Sequence, residues 1–405
     1  MPLRELLLFM INQISKTTTI ELFDFFKLRN QKKPITKQAI SKAREHLSPD
    51  VFIKLNEIYV NTFYEHEDEC VTNNGYLVFA MDGTGLNIPN SKENQEYFGF
   101  STNQLGRSSK PLANCSIMYD ILNGIIVNGV ISPYRVSEKA MAEEQIRFIK
   151  KLSDLKKKKI IILFDRIYSS VKLMSLLREN NIDFIMRSRV LYNRETKEAS
   201  RFSDYDRTRV IKLEKHVYNK IPWLDKILSK KNYQLDMRIC TGKFSDNETG
   251  VFITSLDPNK FKREEIFDLY RNRWKIETQF RYMKETGEFE NFACKRVNLV
   301  LQEFFCRIYT LNMCTLLVAD AQNRLEAEIE SGKVKTKHKL RINENIAYGL
   351  MKDHLIECLY DNDEYYENLV NEISKHRVAV IPGRKFARTE TFRRTKHNVI
   401  NRRAG

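Results

Sequence analysis

Apolar and polar positions alternate along this chain in three textures. Up to about residue 75 the spacing is helical. The opening stretch MPLRELLLFMINQISK holds an apolar patch from Leu6 to Met10, followed by Asn and Gln, with no small-residue cleavage site after it. The patch is too short for a membrane span. It predicts a first core helix, with a signal peptide as the minor alternative. IELFDFFKLRN follows, then a break at Pro34. In PITKQAISKAREHLSPD, Thr36 is placed to cap a helix. Ala39, Ile40, Ala43 and Leu47 give it an apolar face, while Lys37, Gln38, Ser41, Lys42 and Arg44 point elsewhere. Such a helix can read DNA, with Lys37, Lys42 and Arg44 in contact, or be a plain surface helix.

From Leu77 the texture changes to short apolar runs. YLVFAMD reads as a strand ending in Asp82, and ANCSIMYD (113–120) with ILNGIIVNGVI (121–131) as a hairpin. Glu138 to Leu152 reads as a helix. KIIILFD (159–165) is the clearest buried strand and ends in Asp165; the helix YSSVKLMSLLREN and the strand IDFIMR follow. The GTG after Asp82 is no phosphate cradle of the Walker type, because no GK[ST] follows it. Between 188 and 262, RTRVIKLEK, LDMRICTGKF and GVFITSL suggest a β-rich insertion. From about Asn291 the chain looks mainly helical, and RKFARTETFRRTKHNVINRR, with eight cations and one acid, predicts an extended basic tail.

The expected division is an N-terminal helical DNA-binding domain (1–75), the first part of an α/β catalytic domain (76–187), the β-rich insertion (188–262), a helix completing the catalytic domain (263–290) and a helical, basic C-terminal region (291–405). The order of strands and helices from Leu77 is that of a ribonuclease H-like mixed sheet. In that fold the first and fourth strands are neighbours, so Asp82 and Asp165 would meet. Each Asp alone is as readily a turn residue or helix cap.

Ile266 to Glu285 reads as one amphipathic helix. Tyr270, Arg273, Glu277, Arg281 and Lys284 fall on one stripe at helical steps, with Trp274 beside it. Phe267, Ile276, Phe280 and Met283 supply apolar positions. The stripe can be a solvated face of i,i+4 ion pairs, each worth only ~0.2–0.5 kcal/mol. Alternatively, Glu277 joins the two Asp residues, and the cations address phosphates instead of neutralising the Glu.

Composition favours the second reading. There are 68 Lys and Arg against 52 Asp and Glu, a net charge of +16. A chain of this balance suits a polyanion, nucleic acid first; a merely basic protein is the alternative. The seven cysteines form no CxxC pair and no histidine clusters with them. This argues for a reducing compartment and against a zinc site. Three carboxylates in one place repel each other unless a cation is present, and hard divalent ions prefer oxygen ligands.

Together these motifs resemble the IS4 family of DDE transposases, enzymes of bacterial insertion sequences. The family signature is Tyr, two residues, Arg, three residues, Glu, six residues, Lys; Tyr270, Arg273, Glu277 and Lys284 fit every spacing. FAMDGT matches the setting of the first catalytic Asp, giving Asp82. DRIYSS is similar to the family's DRGYPS and gives Asp165, Arg166, Tyr168 and Ser170, with Ile167 for the usual Gly and Ser169 for the usual Pro.

The resemblance implies that Asp82, Asp165 and Glu277 bind two Mg²⁺, for which Mn²⁺ can substitute. Tyr270, Arg273, Lys284 and Arg166 would contact DNA, and Trp274 would pack or stack. It also implies binding to terminal inverted repeats, hydrolysis at the element's ends, attack of the freed 3′-OH on the opposite strand or the target, and a homodimer bridging two ends. The protein would act in the bacterial cytoplasm, at the nucleoid, with no membrane partner. The rivals are a ribonuclease H-like nuclease without strand transfer and a transposon-derived regulator or inactive copy.

Overall fold

The computed structural model describes residues 1–13, 17–28, 35–66, 70–102, 108–212, 234–245, 248–360 and 363–381. Pro34 and the basic stretch RKFARTETFRRTKHNVINRR lie outside them. In chain order the elements are α1 (Leu3–Ile11), α2 (Thr18–Leu28), α3 (Lys37–Glu45), α4 (Asp50–Glu65), β1 (Tyr76–Asn87), α5 (Lys92–Phe98), β2 (Phe100–Thr102), β3 (Ser108–Asp120), β4 (Ile126–Pro133), α6 (Glu138–Ile149), β5 (Lys159–Phe164), α7 (Val171–Glu179), β6 (Asp183–Ser188), α8 (Arg194–Ala199), β7 (Asp206–Lys212), β8 (Gln234–Ser245), β9 (Glu248–Thr254), α9 (Arg263–Arg271), α10 (Trp274–Glu285), α11 (Val297–Glu330), β10 (Lys339–Ile342), α12 (Glu344–Tyr360), α13 (Asp363–Lys375) and β11 (Arg377–Val380).

The sheet runs β2-β3-β1-β5-β6-β9-β8-β7, with β4 also paired to β3. β1 and β5 are parallel neighbours from Tyr76↔Lys159 to Met81↔Phe164, and β5 pairs parallel with β6. With β4-β3 on one side and β6 on the other, this is the ribonuclease H-like order expected from the sequence. KIIILF is apolar without alternation because both faces of a central parallel strand are covered. Ile160, Ile162 and Phe164 meet Val60 and Tyr64 of α4, Ile146 of α6 and Leu177 of α7 in one core. Ile161 and Leu163, on the other face, are buried as well.

Contacts divide the chain into two units, Met1–Leu55 with Leu86–Ala113 and Arg281–Gly405, and Asn56–Gly85 with Asn114–Phe280. The sheet-centred unit departs from expectation in three ways. β1 does not stop at Asp82 but continues to Asn87; it is the ladder with β5 that ends, at Met81. The strands of the expected insertion join the same sheet: β9 pairs antiparallel with β6, and β8 and β7 follow outward. The free edge of β6 is thereby paired instead of left open.

The third departure is the helix expected over 266–285, which is two helices broken at Asn272–Arg273. α9 packs on β8 at Gly242, where a Cβ would come within 2.4 Å of the Phe267 ring. Tyr270, one turn further on, sets its ring edge-on to Phe252 of β9 at 4.7 Å. These two anchors tie α9 to the sheet.

In the other unit the helices at the two ends of the chain share one core. Leu6, Phe9, Phe25 and Ile40 pack with Leu317, Leu325, Met351 and Ile373. The separate N-terminal domain over 1–75 is therefore corrected. Three helices of 9, 11 and 9 residues present too little apolar surface to close a core alone, and the 34-residue α11 completes it. α11 is long and apolar enough to cross a membrane by length and composition, yet half of its apolar window is buried in the protein. Thr36 caps α3 as expected, its hydroxyl accepting from the Ala39 N–H at 3.3 Å.

Candidate active site

Asp82 and Asp165 each stand one position beyond the last β1–β5 pair, Met81↔Phe164. Adjacent strands lie ~4.8 Å apart, so the parallel register puts the two acids side by side at the same sheet end. The Asp82 carboxylate accepts from the Gly83 N–H at 2.9 Å. Burial, and then the charges of Glu138 and Asp165, push its pKa from 3.8 up to about 6, against the pull of the Gly83 N–H and Arg273.

The third acid arrives through the break between α9 and α10. The Asn272 and Arg273 N–H groups donate three residues back, to Leu269 at 3.1 Å and Tyr270 at 2.9 Å, closing α9 in a tight turn. Arg273 is buried there. One side of its guanidinium donates to Asp82 Oδ2 at 3.2 Å and the other to Glu277 Oε1 at 2.8 Å. The Glu277 side chain is 39% exposed. The expectation that the cations of this stripe leave Glu277 unneutralised is corrected for Arg273. The i,i+4 step places the guanidinium beside Glu277, and burial favours pairing both acids with it.

As placed, the described residues hold no group of three or more His, Cys, Asp or Glu side chains that could ligate a metal ion. The chemistry of the donors nonetheless fits a hard divalent cation. Asp82, Asp165, Glu277 and the nearby Glu138 are all oxygen donors, and burial makes the Asp82 charge costly, a cost that a bound cation would offset.

The family description "Transposase DDE domain" matches residues 73–313, a stretch that contains all three acids. The chain belongs to that family. It is 28% identical over 106 residues to a protein of Escherichia coli (strain K12) whose name is "Putative transposase InsZ". The match takes in 26% of this chain and 33% of InsZ. A cryo-EM structure of the piggyBac transposase synaptic complex with hairpin DNA aligns over 95% of this chain and 77% of that one, at 13% identity and a TM-score of 0.39. That likeness is too loose to argue from.

The other expected DNA contacts separate. Trp274 is 55% exposed, and Arg166 and Lys42 are exposed; Lys37 is half-buried. Lys284 belongs to the other unit, where its ammonium lies 3.9 Å from Glu290. Two expectations are corrected. Tyr270 is 2% exposed, its ring committed to Phe252, and burial pushes its phenol up to about 12. Arg44 is also 2% exposed. It shares the inward face of α3 with Ile40 and pairs with Glu303 at 3.0 Å, so it does not reach DNA.

The departures in DRIYSS are accommodated. Among the described residues, positive φ outside glycine occurs at Asn74, Asn181 and Glu288; Ile167 therefore needs no glycine conformation. The residue is 45% exposed. The Ser169 hydroxyl donates to the Arg187 carbonyl at 2.9 Å, tying the loop to β6, and Ser170 caps α7.

Sequence reading missed Glu138. An acid directly after a helix-capping Ser is ordinary helix-start chemistry, so nothing in the pattern marks it as a neighbour of Asp82.

The shift at Asp82 has a thermodynamic consequence. Its folded pKa lies above the ordinary value, so ionisation opposes folding. The penalty is absent below about pH 4, grows between about pH 4 and 6, and is complete above that, reaching about 3 kcal/mol for a two-unit shift. Melted in EDTA, Asp82→Asn should therefore gain on the wild type as pH rises through this window. A difference in melting temperature that stays flat from pH 4 to 7 would contradict the assignment.

Proposed function

We propose that this protein is the DNA transposase of an insertion sequence. It binds terminal inverted repeats, cleaves the element's ends and joins the 3′-OH ends to target DNA, by a cut-and-paste route that can pass through hairpin ends. The observation that carries the reading is the meeting of Asp82 and Asp165 just beyond the last pair of the parallel β1–β5 ladder, with Glu277 joined to Asp82 through one buried guanidinium. These three acids would hold the divalent cations, Mg²⁺ or Mn²⁺. When bound, such ions supply Lewis acidity toward a phosphodiester and its attacking hydroxyl.

The chain's own groups do the rest. Arg273 keeps Asp82 and Glu277 oriented on one centre. Arg166, exposed directly after Asp165, takes a backbone phosphate beside the cut. The exposed Trp274 ring offers a stacking surface for a base displaced at a hairpin end. Lys37 and Lys42 on α3 hold phosphates of the terminal repeat, a salt-sensitive interaction. Two copies bridge the two ends in the active assembly. The setting is the bacterial nucleoid, with DNA and not a membrane as the partner.

The test is cleavage of DNA carrying the element's own ends by the full chain in Mg²⁺, Mn²⁺ or EDTA. Nicking at the end and joined products, both dependent on metal, are expected. End binding without cleavage in either metal would make the protein a regulator or an inactive copy. Cleavage with no joined product would make it a nuclease.

A further inference from the structure

Glu138 is the first residue of α6, directly after its cap Ser137. Its side chain lies along the backbone of β1 at Gly83. A Cβ on Gly83 would stand 2.8 Å from both Cγ and Cδ of Glu138 and 3.2 Å from Oε1. Real Cβ contacts are not that short, so the missing side chain of Gly83 is the cradle in which this carboxyl rests. Gly83 follows Asp82 directly, and the Glu138 charge bears on the Asp82 carboxylate ahead of that of Asp165. Its other neighbour is Tyr168, a fully buried ring of the DRIYSS loop. Among the described residues no ion pair joins Glu138 to a Lys or Arg.

A helix-start acid gains ~0.3–1 kcal/mol from the helix dipole, and it gains this while facing solvent. That account does not explain why the carboxyl is turned against a glycine, beside the half-buried Asp82. Bringing a second negative charge to Asp82 is unfavourable unless a cation is shared between them. We propose that Glu138 is a fourth carboxylate of the centre, an oxygen donor that reaches the bound divalent cation or its water shell from α6, while Glu277 reaches it from α10. The proposal rests on the metal-dependent reading above. It also gives Gly83 its role, since any side chain there would lift Glu138 out of place.

The experiment is titration of the full chain with Mn²⁺ alone, followed by calorimetry and by the electron paramagnetic resonance of free Mn²⁺. Wild type, Glu138→Gln, Gly83→Ala and Asp165→Asn are compared, each also melted in EDTA and assayed for end-DNA binding in EDTA. Glu138→Gln keeps the shape of the side chain and removes its charge. It is expected to weaken Mn²⁺ roughly tenfold or more, with melting no lower than the wild type and DNA binding unchanged. Gly83→Ala should weaken Mn²⁺ in the same direction by displacing the carboxyl. If either variant fails to fold, Glu138→Asp, whose shorter carboxyl withdraws from the centre, replaces it with the same expectation. Wild-type Mn²⁺ affinity in these variants, alongside its loss in Asp165→Asn, would overturn the role of Glu138 while leaving the metal centre standing. Wild-type affinity in Asp165→Asn would overturn the metal centre itself.

Discussion

Glu277→Gln should keep the protein's hold on its DNA ends while lowering metal-dependent cleavage by about a thousandfold or more, which is ~4 kcal/mol in the barrier. The change is isosteric and lies on a helix whose anchors are elsewhere, Ile276 and Met283 being buried. The Arg273 hydrogen bond at 2.8 Å keeps a neutral oxygen as its acceptor. What is lost is one of the negative charges that would fix a divalent cation over the scissile phosphate, an interaction that matters most where charge develops. DNA binding should be equal or tighter, because a negative charge is taken from a surface proposed to meet phosphates. Single-turnover cleavage beside a gel-shift titration separates the two effects. Cleavage within about tenfold of the wild type would remove Glu277 from the chemistry. Equal losses of binding and cleavage would mean that its part is structural.

The second large effect concerns stability. Arg44→Ala should destabilise the protein by about 3 kcal/mol or more, the usual result of stripping one partner from a buried ion pair. The Arg44 and Glu303 side chains are each 2% exposed. The guanidinium also donates to Gln302 at 3.3 Å and to the Leu299 carbonyl at 3.3 Å. Once it is gone, Glu303 loses its 3.0 Å ion pair, while Arg307 at 3.4 Å and the Ala293 N–H at 3.0 Å still meet it. Urea unfolding measures the loss, and the double variant Arg44→Met, Glu303→Leu should recover part of it, because the Glu303 charge is then no longer buried without Arg44, while Arg307 still donates to the Glu288 and Asn291 carbonyls. DNA binding supplies an independent check. The slope of log affinity against log salt should be unchanged in folded Arg44→Ala, whereas Lys42→Ala should lower it by about 1. A stable Arg44→Ala with a reduced salt slope would return Arg44 to the DNA surface.

Arg44 shows where local reading stops. Its place at an i,i+4 step from Ile40 was visible; its partner Glu303 is 259 residues away, and nothing in either neighbourhood names the other. The shared core of α1–α3 and α11–α13 has the same origin. Each helix declares an apolar face, but not which other face covers it.

The turn at Asn272–Arg273 is a second instance. YRNRWK carries no Gly or Pro and continues a helical period. The break accompanies the packing of Phe267 against Gly242 and of Tyr270 against Phe252. Helical spacing still identified Arg273 and Glu277 as neighbours, because the contact is one turn long.

The strand ends were legible for a different reason. The apolar runs of YLVFAMD and KIIILFD read as buried strands by their length and flanks, and each run stops at an Asp. The order of elements matched that of a ribonuclease H-like sheet, in which those two strands pair, and this gave the expectation that Asp82 and Asp165 meet. The sequence by itself determined the sheet, the pair of acids on it and the Arg–Glu step beside them, because each depends on local period or on chain order. Only the tertiary structure decided that Arg273 bridges two acids, that Arg44 and Tyr270 are buried and that Glu138 rests against Gly83. Each of these depends on a packing partner that the local pattern does not name.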